Sequence, residues 1–364
     1  MLRSILVLAL VLGACGGGTS GGHAGATPAS PDPAAKPPTA TQSPPPAALV
    51  PRSPSAPPPP SSPEVTPPAP APAPADEGAG FPPPAFAPPF ARTAKPGDGV
   101  YSPITEGAAG GLLARTLVHP HPVKPHPYVA IVAVDLRRVS LGMAAGTEEP
   151  VSKSVPAERR TGLVPQADMP GLIAVFNGGF LTQHGGWGMM VEGDTFVPPR
   201  DEGCTVARLD DGSVRIGAWK TLAPLSARMR AYRQTPPCLF EGGKPHPSLP
   251  NEDTARLWGA AVGGDREIRR TALGLDASGK ILFFGIGEWI WARDLAAAMR
   301  AAGAVDVAEL DINWSYTRFL LYDRPVPPSP PEVVSTLIPK VEYTRGGYVQ
   351  KPAPRDFFYL TRRR

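Results

Sequence analysis

Two stretches carry side chains whose types and spacing could do chemistry. In the first, the apolar run Leu172 to Phe176 has the length of a buried strand and stops at Asn177-Gly178-Gly179. Three residues that tolerate φ > 0 force a sharp change of direction there, and glycines at a strand end let a ligand come close to the main chain. Gln183, His184 and Trp187 follow on a glycine-rich backbone. A glycine-rich hairpin turn would give the same spacing. In the second stretch, an extended chain from Val305 through Ser315 puts Ala308, Leu310 and Ile312 on one face and Glu309, Asp311, Asn313 and Ser315 on the other. Asn313, Trp314 and Tyr316 fall where that strand should end. Carboxylate, amide and aromatic ring together suit a sugar: the polar groups bind hydroxyls and the ring covers the apolar face. A solvated strand face gives the same pattern. Arg269-Arg270 directly precedes a strand at Thr271, and the planar guanidinium fork suits phosphate. A surface arginine pair is the plain alternative. Glu288 lies at another strand end, near Trp289 and Trp291.

The elements that must position these groups are mostly strands. Turn signals at Glu192-Gly193-Asp194, Asp210-Asp211-Gly212 and Asp276-Ala277-Ser278-Gly279 each sit between apolar runs and predict three hairpins. Tyr128 to Leu136, Arg318 to Tyr322 and Asp356 to Leu360 read as further strands. Trp291 to Ala302 is the clear helix, with Asp294 in its first turn, an apolar stripe at helical spacing, and Gly303 at its end. The class is α+β: a mostly antiparallel sheet meander with a few helices in one large domain. His119, His121 and His126 alternate with prolines, which hold the segment extended, and no Cys, Asp or Glu completes a ligand set, so no metal site is assigned. No cofactor is implied, and no ligand pattern supports calcium.

The chain begins differently. Residues 1–14 hold one positive charge and an apolar stretch too short to span a bilayer, which reads as a signal peptide. Leu12-Gly13-Ala14-Cys15 resembles the lipobox of bacterial lipoproteins, which implies cleavage before Cys15 and its lipidation. An ordinary secretory signal with a chance cysteine is the alternative. Residues 15–95 are rich in Pro, Ala, Ser and Gly and read as a disordered stalk that holds domain 96–364 away from a membrane. The expected location is the cell envelope, anchored by Cys15 and facing the periplasm or exterior. The net charge of +4 is scattered with no basic stripe, which argues against nucleic acid as a partner. Cys204 and Cys238 remain, and in an oxidising compartment an even pair reads as one disulfide, with two free buried thiols as the alternative.

The order of segments resembles the phosphodiester glycosidase family, whose type activity removes N-acetylglucosamine from a phosphodiester on mannose. GLIAVFNGGF, HGGWGMMVEG, DDGSVRIGAW, RQTPPCLFEGG, RRTALGLDASGKILFF and DLAAAMRAAGAVDVAELDINWS occur colinearly within Asp135 to Tyr322. The resemblance maps the family's Asn-Gly-Gly-Phe element onto Asn177, Gly178, Gly179 and Phe180, and its Arg-Thr-Ala element onto Arg270, Thr271 and Ala272. Its Leu-Asp-Gly-Gly-Gly-Ser element falls on Leu310 to Ser315, with Ile312, Asn313 and Trp314 in place of the glycines, as in a bacterial subgroup with Leu-Asp-Ile-Asn. The implied activity is hydrolysis of a sugar 1-phosphodiester from an envelope or exopolysaccharide glycan. Asp311 would act as acid/base or stabilise the oxocarbenium-like transition state. Arg270 would hold the phosphodiester, and Asn177 a sugar hydroxyl or the phosphate. The second carboxylate is not identified: Glu309 shares a face with Asp311, while Glu192 and Glu288 sit near other mapped pieces. A leaving phosphate needs so little protonation that one carboxylate alone is the alternative, with His184 an alternative acid. Gly178, Gly179, Trp187, Asn313, Trp314 and Ser315 would line the substrate site. The rival is a non-catalytic, glycan-binding envelope lipoprotein of the same fold.

Overall fold

The computed structural model describes residues 80–251, 256–261, 263–324, 326 and 328–363. The signal segment, Cys15 and the proline-rich tract up to residue 79 lie outside the described residues.

Short apolar runs divided by polar turns fold into three antiparallel sheets. The largest has eight strands, in the spatial order Ser102–Ile104, Leu113–Val118, Tyr128–Asp135, Ile281–Ile290, Ile268–Asp276, Ala304–Ile312, Phe240–Glu241 and Lys244–Pro245. A five-stranded sheet runs Val333–Thr336, Phe319–Tyr322, Leu172–Asn177, Phe357–Arg362 and Val139–Ala144. The other runs Asp194–Val197, Met189–Val191, Met229–Thr235, Cys204–Leu209 and Val214–Ala218. All three predicted hairpins are present. Their turns place Gly193, Gly212 and Gly279 at φ of +88°, +77° and +69°, a conformation open to glycine at no steric cost.

The main core lies between one face of the large sheet and the inner faces of the two smaller ones. Its centre is Phe176, whose ring lies 4.9 Å from Phe284, 5.7 Å from Phe319 and 5.4 Å from Phe358. The helix Ala292–Ala301 covers the other face of the large sheet with Leu295, Ala298 and Met299. Its first turn is closed by the Trp291 N–H, which donates to Asp294 Oδ2 at 3.1 Å. Cys204 and Cys238 form the disulfide, Cα atoms 4.7 Å apart.

The folded region starts earlier than residue 96. Phe81 and Phe86 pack on the helix-side core, and the Phe86 N–H donates to Gly99 O at 3.2 Å. Two phenylalanines inside the proline-rich tract find apolar surface there, so the stretch from Gly80 belongs with the domain.

Candidate active site

Three strand ends meet where the large sheet touches the sheet that holds Leu172–Asn177. The Asp311 N–H donates to Gly178 O at 3.0 Å, and the Gly178 N–H to Asp356 O at 3.1 Å. Thr271 ties the sheets further: its hydroxyl donates to Asp311 O at 2.6 Å and accepts from the Asn177 amide at 2.8 Å.

The strand carrying Asp311 is not the even comb expected. Ala272 faces Glu309 while Arg270 faces Ile312, so the strand holds one extra residue between them, a β-bulge. The bulge breaks the two-residue alternation. Glu309 turns into the protein and Asp311 into a cleft. The strand ends at Ile312, and Asn313 takes φ of +84°, the left-handed conformation that a glycine would adopt freely at a position where the family pattern has one.

The cleft has a volume of about 580 Å³ and is lined by Phe180, Leu181, His184, Trp187, Pro236, Arg256, Leu257, Gly259 to Ala261, Asp311, Ile312, Asn313, Ser315 and Arg355. It therefore brings together Asp311, His184, Trp187, Asn313 and Ser315 from the sequence reading. His184 and Ser315 are exposed at its mouth. Trp187 is half-buried, with the Arg200 guanidinium 5.1 Å from its ring centre.

At the cleft's buried end, Asp311 Oδ2 lies 2.6 Å from Arg355 Nη2, the side chains being 7 % and 16 % exposed. Burial pushes the Asp311 carboxyl up to about 6, the neighbouring Asp356 charge adds to the rise, and Arg355 and Arg233 oppose it. Arg355 Nη2 also donates to Gly179 O at 3.0 Å, and its guanidinium stacks 4.3 Å from the Tyr316 ring centre. Its Nε reaches no acceptor among the described residues.

Arg270 is placed otherwise than expected. It is fully buried and ion-paired to the equally buried Glu309, Nη1 to Oε1 at 2.8 Å. Each of its nitrogens already has a protein acceptor: Nε donates to Arg266 O and Ile290 O, Nη1 to Trp258 O, and Nη2 to Gly259 O and Arg266 O. No donor is left for a phosphate. Arg270 instead clamps the backbone of Trp258 and Gly259, and Gly259 forms part of the cleft wall. Glu309 shares that structural role and does not line the cleft.

The two glycines after Asn177 are also reassigned. Neither has a positive φ. A Cβ on Gly178 would lie 2.0 Å from Asp356 Oδ2, and one on Gly179 would lie 2.8 Å from Arg233 Cζ. The close approach is that of an ion pair rather than a ligand. Arg233 Nε donates to Asp356 Oδ2 at 2.8 Å, Arg233 Nη2 to Phe180 O at 2.6 Å, and the Gly179 N–H to Asp356 Oδ2 at 2.9 Å, all buried. Asn177 is fully buried too, and its Oδ1 accepts the Arg318 N–H at 3.1 Å. Glu192 pairs with Arg208 and Glu288 with Arg269, both away from the cleft lining. Trp314 lies outside the lining as well, 44 % exposed.

Sequence reasoning missed Arg233, Arg355 and Asp356. The only signals were a charged pair directly before a strand and an arginine in the run before Pro236-Pro237. Among the described residues no group of His, Cys, Asp and Glu forms a metal-ligand cluster, and no helix is long and apolar enough to cross a membrane.

No protein-family model matches the chain, and no curated protein matches it in sequence. Among solved structures, it is similar to the zebrafish N-acetylglucosamine-1-phosphodiester alpha-N-acetylglucosaminidase catalytic domain, auto-inhibited by its pro-peptide, at 15 % identity and a TM-score of 0.43, over 70 % of this chain and 84 % of that one. It is also similar to a hypothetical protein from Synechocystis at 10 % identity and a TM-score of 0.41, over 69 % of this chain and 62 % of that one. Likeness at this level assigns neither a family nor an activity.

Proposed function

We propose that the domain hydrolyses a sugar 1-phosphodiester, with Asp311 and Arg355 carrying the chemistry. The observation that carries the reading is the pairing of a carboxyl pushed up to about 6 with a guanidinium at the buried end of a cleft. The colinear motifs that resemble phosphodiester glycosidases support it.

Arg355 takes the phosphate-binding part first expected of Arg270. A phosphodiester arriving at Arg355 competes with Asp311 for the guanidinium, and a carboxyl so released holds a proton more tightly. Asp311 gives that proton to the oxygen between the anomeric carbon and phosphorus as the bond from the anomeric carbon to that oxygen breaks. Water adds to the anomeric carbon and its proton returns to Asp311, leaving a free sugar and a phosphate monoester. Asn313, Ser315 and His184 supply partners for hydroxyls, and Trp187 an aromatic wall. The signal and lipobox pattern support an exported protein anchored through Cys15, with an envelope or exopolysaccharide glycan as substrate.

One observation favours the rival, a glycan-binding module without turnover. Ile312, where the family pattern has glycine, lines the cleft and packs with Phe180 and Ile268, taking space a sugar would use. Assay of the purified protein with the methyl phosphodiester of N-acetylglucosamine 1-phosphate separates the two. The hydrolase releases reducing sugar, Asp311→Asn does not, and Arg355→Ala raises KM about tenfold or more through loss of a charge-assisted bond. Saturable binding without any release establishes the module instead.

A further inference from the structure

We infer that Trp289 and Trp314 form a second sugar-stacking surface outside the cleft, so that the ligand is an extended glycan rather than a single sugar. The inference rests on the glycan reading of the cleft. The two indoles are 54 % and 44 % exposed, with ring centres 4.9 Å apart and planes tilted by 58°. Large rings left in water cost free energy unless something covers them in use.

These rings are held, not loose. The Arg269 guanidinium stacks 4.5 Å from the Trp314 ring centre and is itself fixed by Glu288, with Nη2 to Oε1 at 2.5 Å and both side chains buried. Trp289 sits at φ of +56°, an outlier for a bulky residue that the surroundings must enforce. The occupant follows from size and continuity. A stable protein partner needs roughly 20–30 residues a side, far more than two rings. A pyranose needs one flat apolar face, and an indole supplies it. Trp314 lies between Asn313 and Ser315 in the chain, both in the cleft lining, so this surface adjoins the cleft rim.

The test is calorimetric titration of the full chain with two ladders of one to six units, one of β-1,4-linked N-acetylglucosamine and one of β-1,4-linked glucose. For at least one ladder, affinity is expected to rise about tenfold or more between two and six units. Trp289→Ala and Trp314→Ala, read separately with thermal melts as folding controls, should each flatten that rise. The inference is overturned if neither ladder shows length-dependent binding, or if both folded variants keep the wild-type dependence. Diester turnover is followed in parallel: its absence from the wild type counts against the hydrolase and leaves the ladder result standing.

Discussion

Arg270→Ala should show first as a loss of stability and not as the loss of a ligand contact. The substitution leaves Glu309, which has no exposure, without its guanidinium, and breaking one side of a buried pair costs about 3–5 kcal/mol. Four backbone carbonyls, of Trp258, Gly259, Arg266 and Ile290, lose a donor as well. Water entering the space offsets part of that second loss, so roughly 4 kcal/mol is a working figure. For a domain of this size, 1 kcal/mol moves the melting temperature by about 2–4 °C, which gives a fall of about 8–16 °C. Circular dichroism melts and urea titrations of wild type, Arg270→Ala, Glu309→Leu and the Arg270→Met/Glu309→Leu pair would measure it. The double variant should recover part of the loss, since apolar groups of similar volume replace buried ion pairs well. An Arg270→Ala protein that melts within about 2 °C of wild type and loses only phosphodiester affinity would refute the reasoning and return Arg270 to the ligand.

Other expectations follow from the same geometry. The Asp311 carboxyl binds its proton more tightly in the folded state, at about 6 against an ordinary 3.8. Its stabilising share is therefore complete below about 3.8 and is lost as pH rises through about 6, a change of roughly 3 kcal/mol. Asp311→Asn should remove that slope from a pH series of urea midpoints, and wild-type kcat/KM should fall above about pH 6 as the acid is lost from the free protein, with the fall in kcat displaced to higher pH by the bound phosphodiester. Gly178→Ala places a Cβ 2.0 Å from Asp356 Oδ2, and about 2 kcal/mol or more of stability should go; an unchanged urea midpoint would show that the backbone can give way. Cys15→Ala should move the protein from membrane to soluble fraction; retention in the membrane would place the anchor elsewhere.

What could be read from the sequence was what neighbouring residues decide. The three hairpins carry their own turn residues, and the helix its Trp291 start and Gly303 stop, so both were visible locally. The cysteines could be paired because only two remained. The cleft was half legible: Asp311, Asn313, Ser315, His184 and Trp187 share two stretches. Arg355 was not, because its partner Asp311 lies far off in the chain and the one local mark, a charged pair with Asp356 before a strand, is common on surfaces. Arg270 and Glu309 looked reactive because buried and ligand-facing charges have the same letters. The bulge that sends Glu309 inward and Asp311 outward carries no glycine or proline to announce it.

The ion pair wedged against Gly178 and Gly179 bears on how relatives of this chain should be sorted. A lineage that abandoned turnover would still need Gly178, Gly179, Arg233 and Asp356, since the seam between two sheets closes on them. Those letters would persist in a pseudoenzyme as faithfully as in an enzyme. The Asp311 side chain is under no such obligation, and among the described residues Arg355 is held there, apart from Asp311 itself, only by its bond to Gly179 O and its stacking on Tyr316. If the proposed hydrolysis holds, the survival of both in a given sequence, and not that of its Asn-Gly-Gly-Phe element, is the mark by which catalytic relatives would be told from non-catalytic ones.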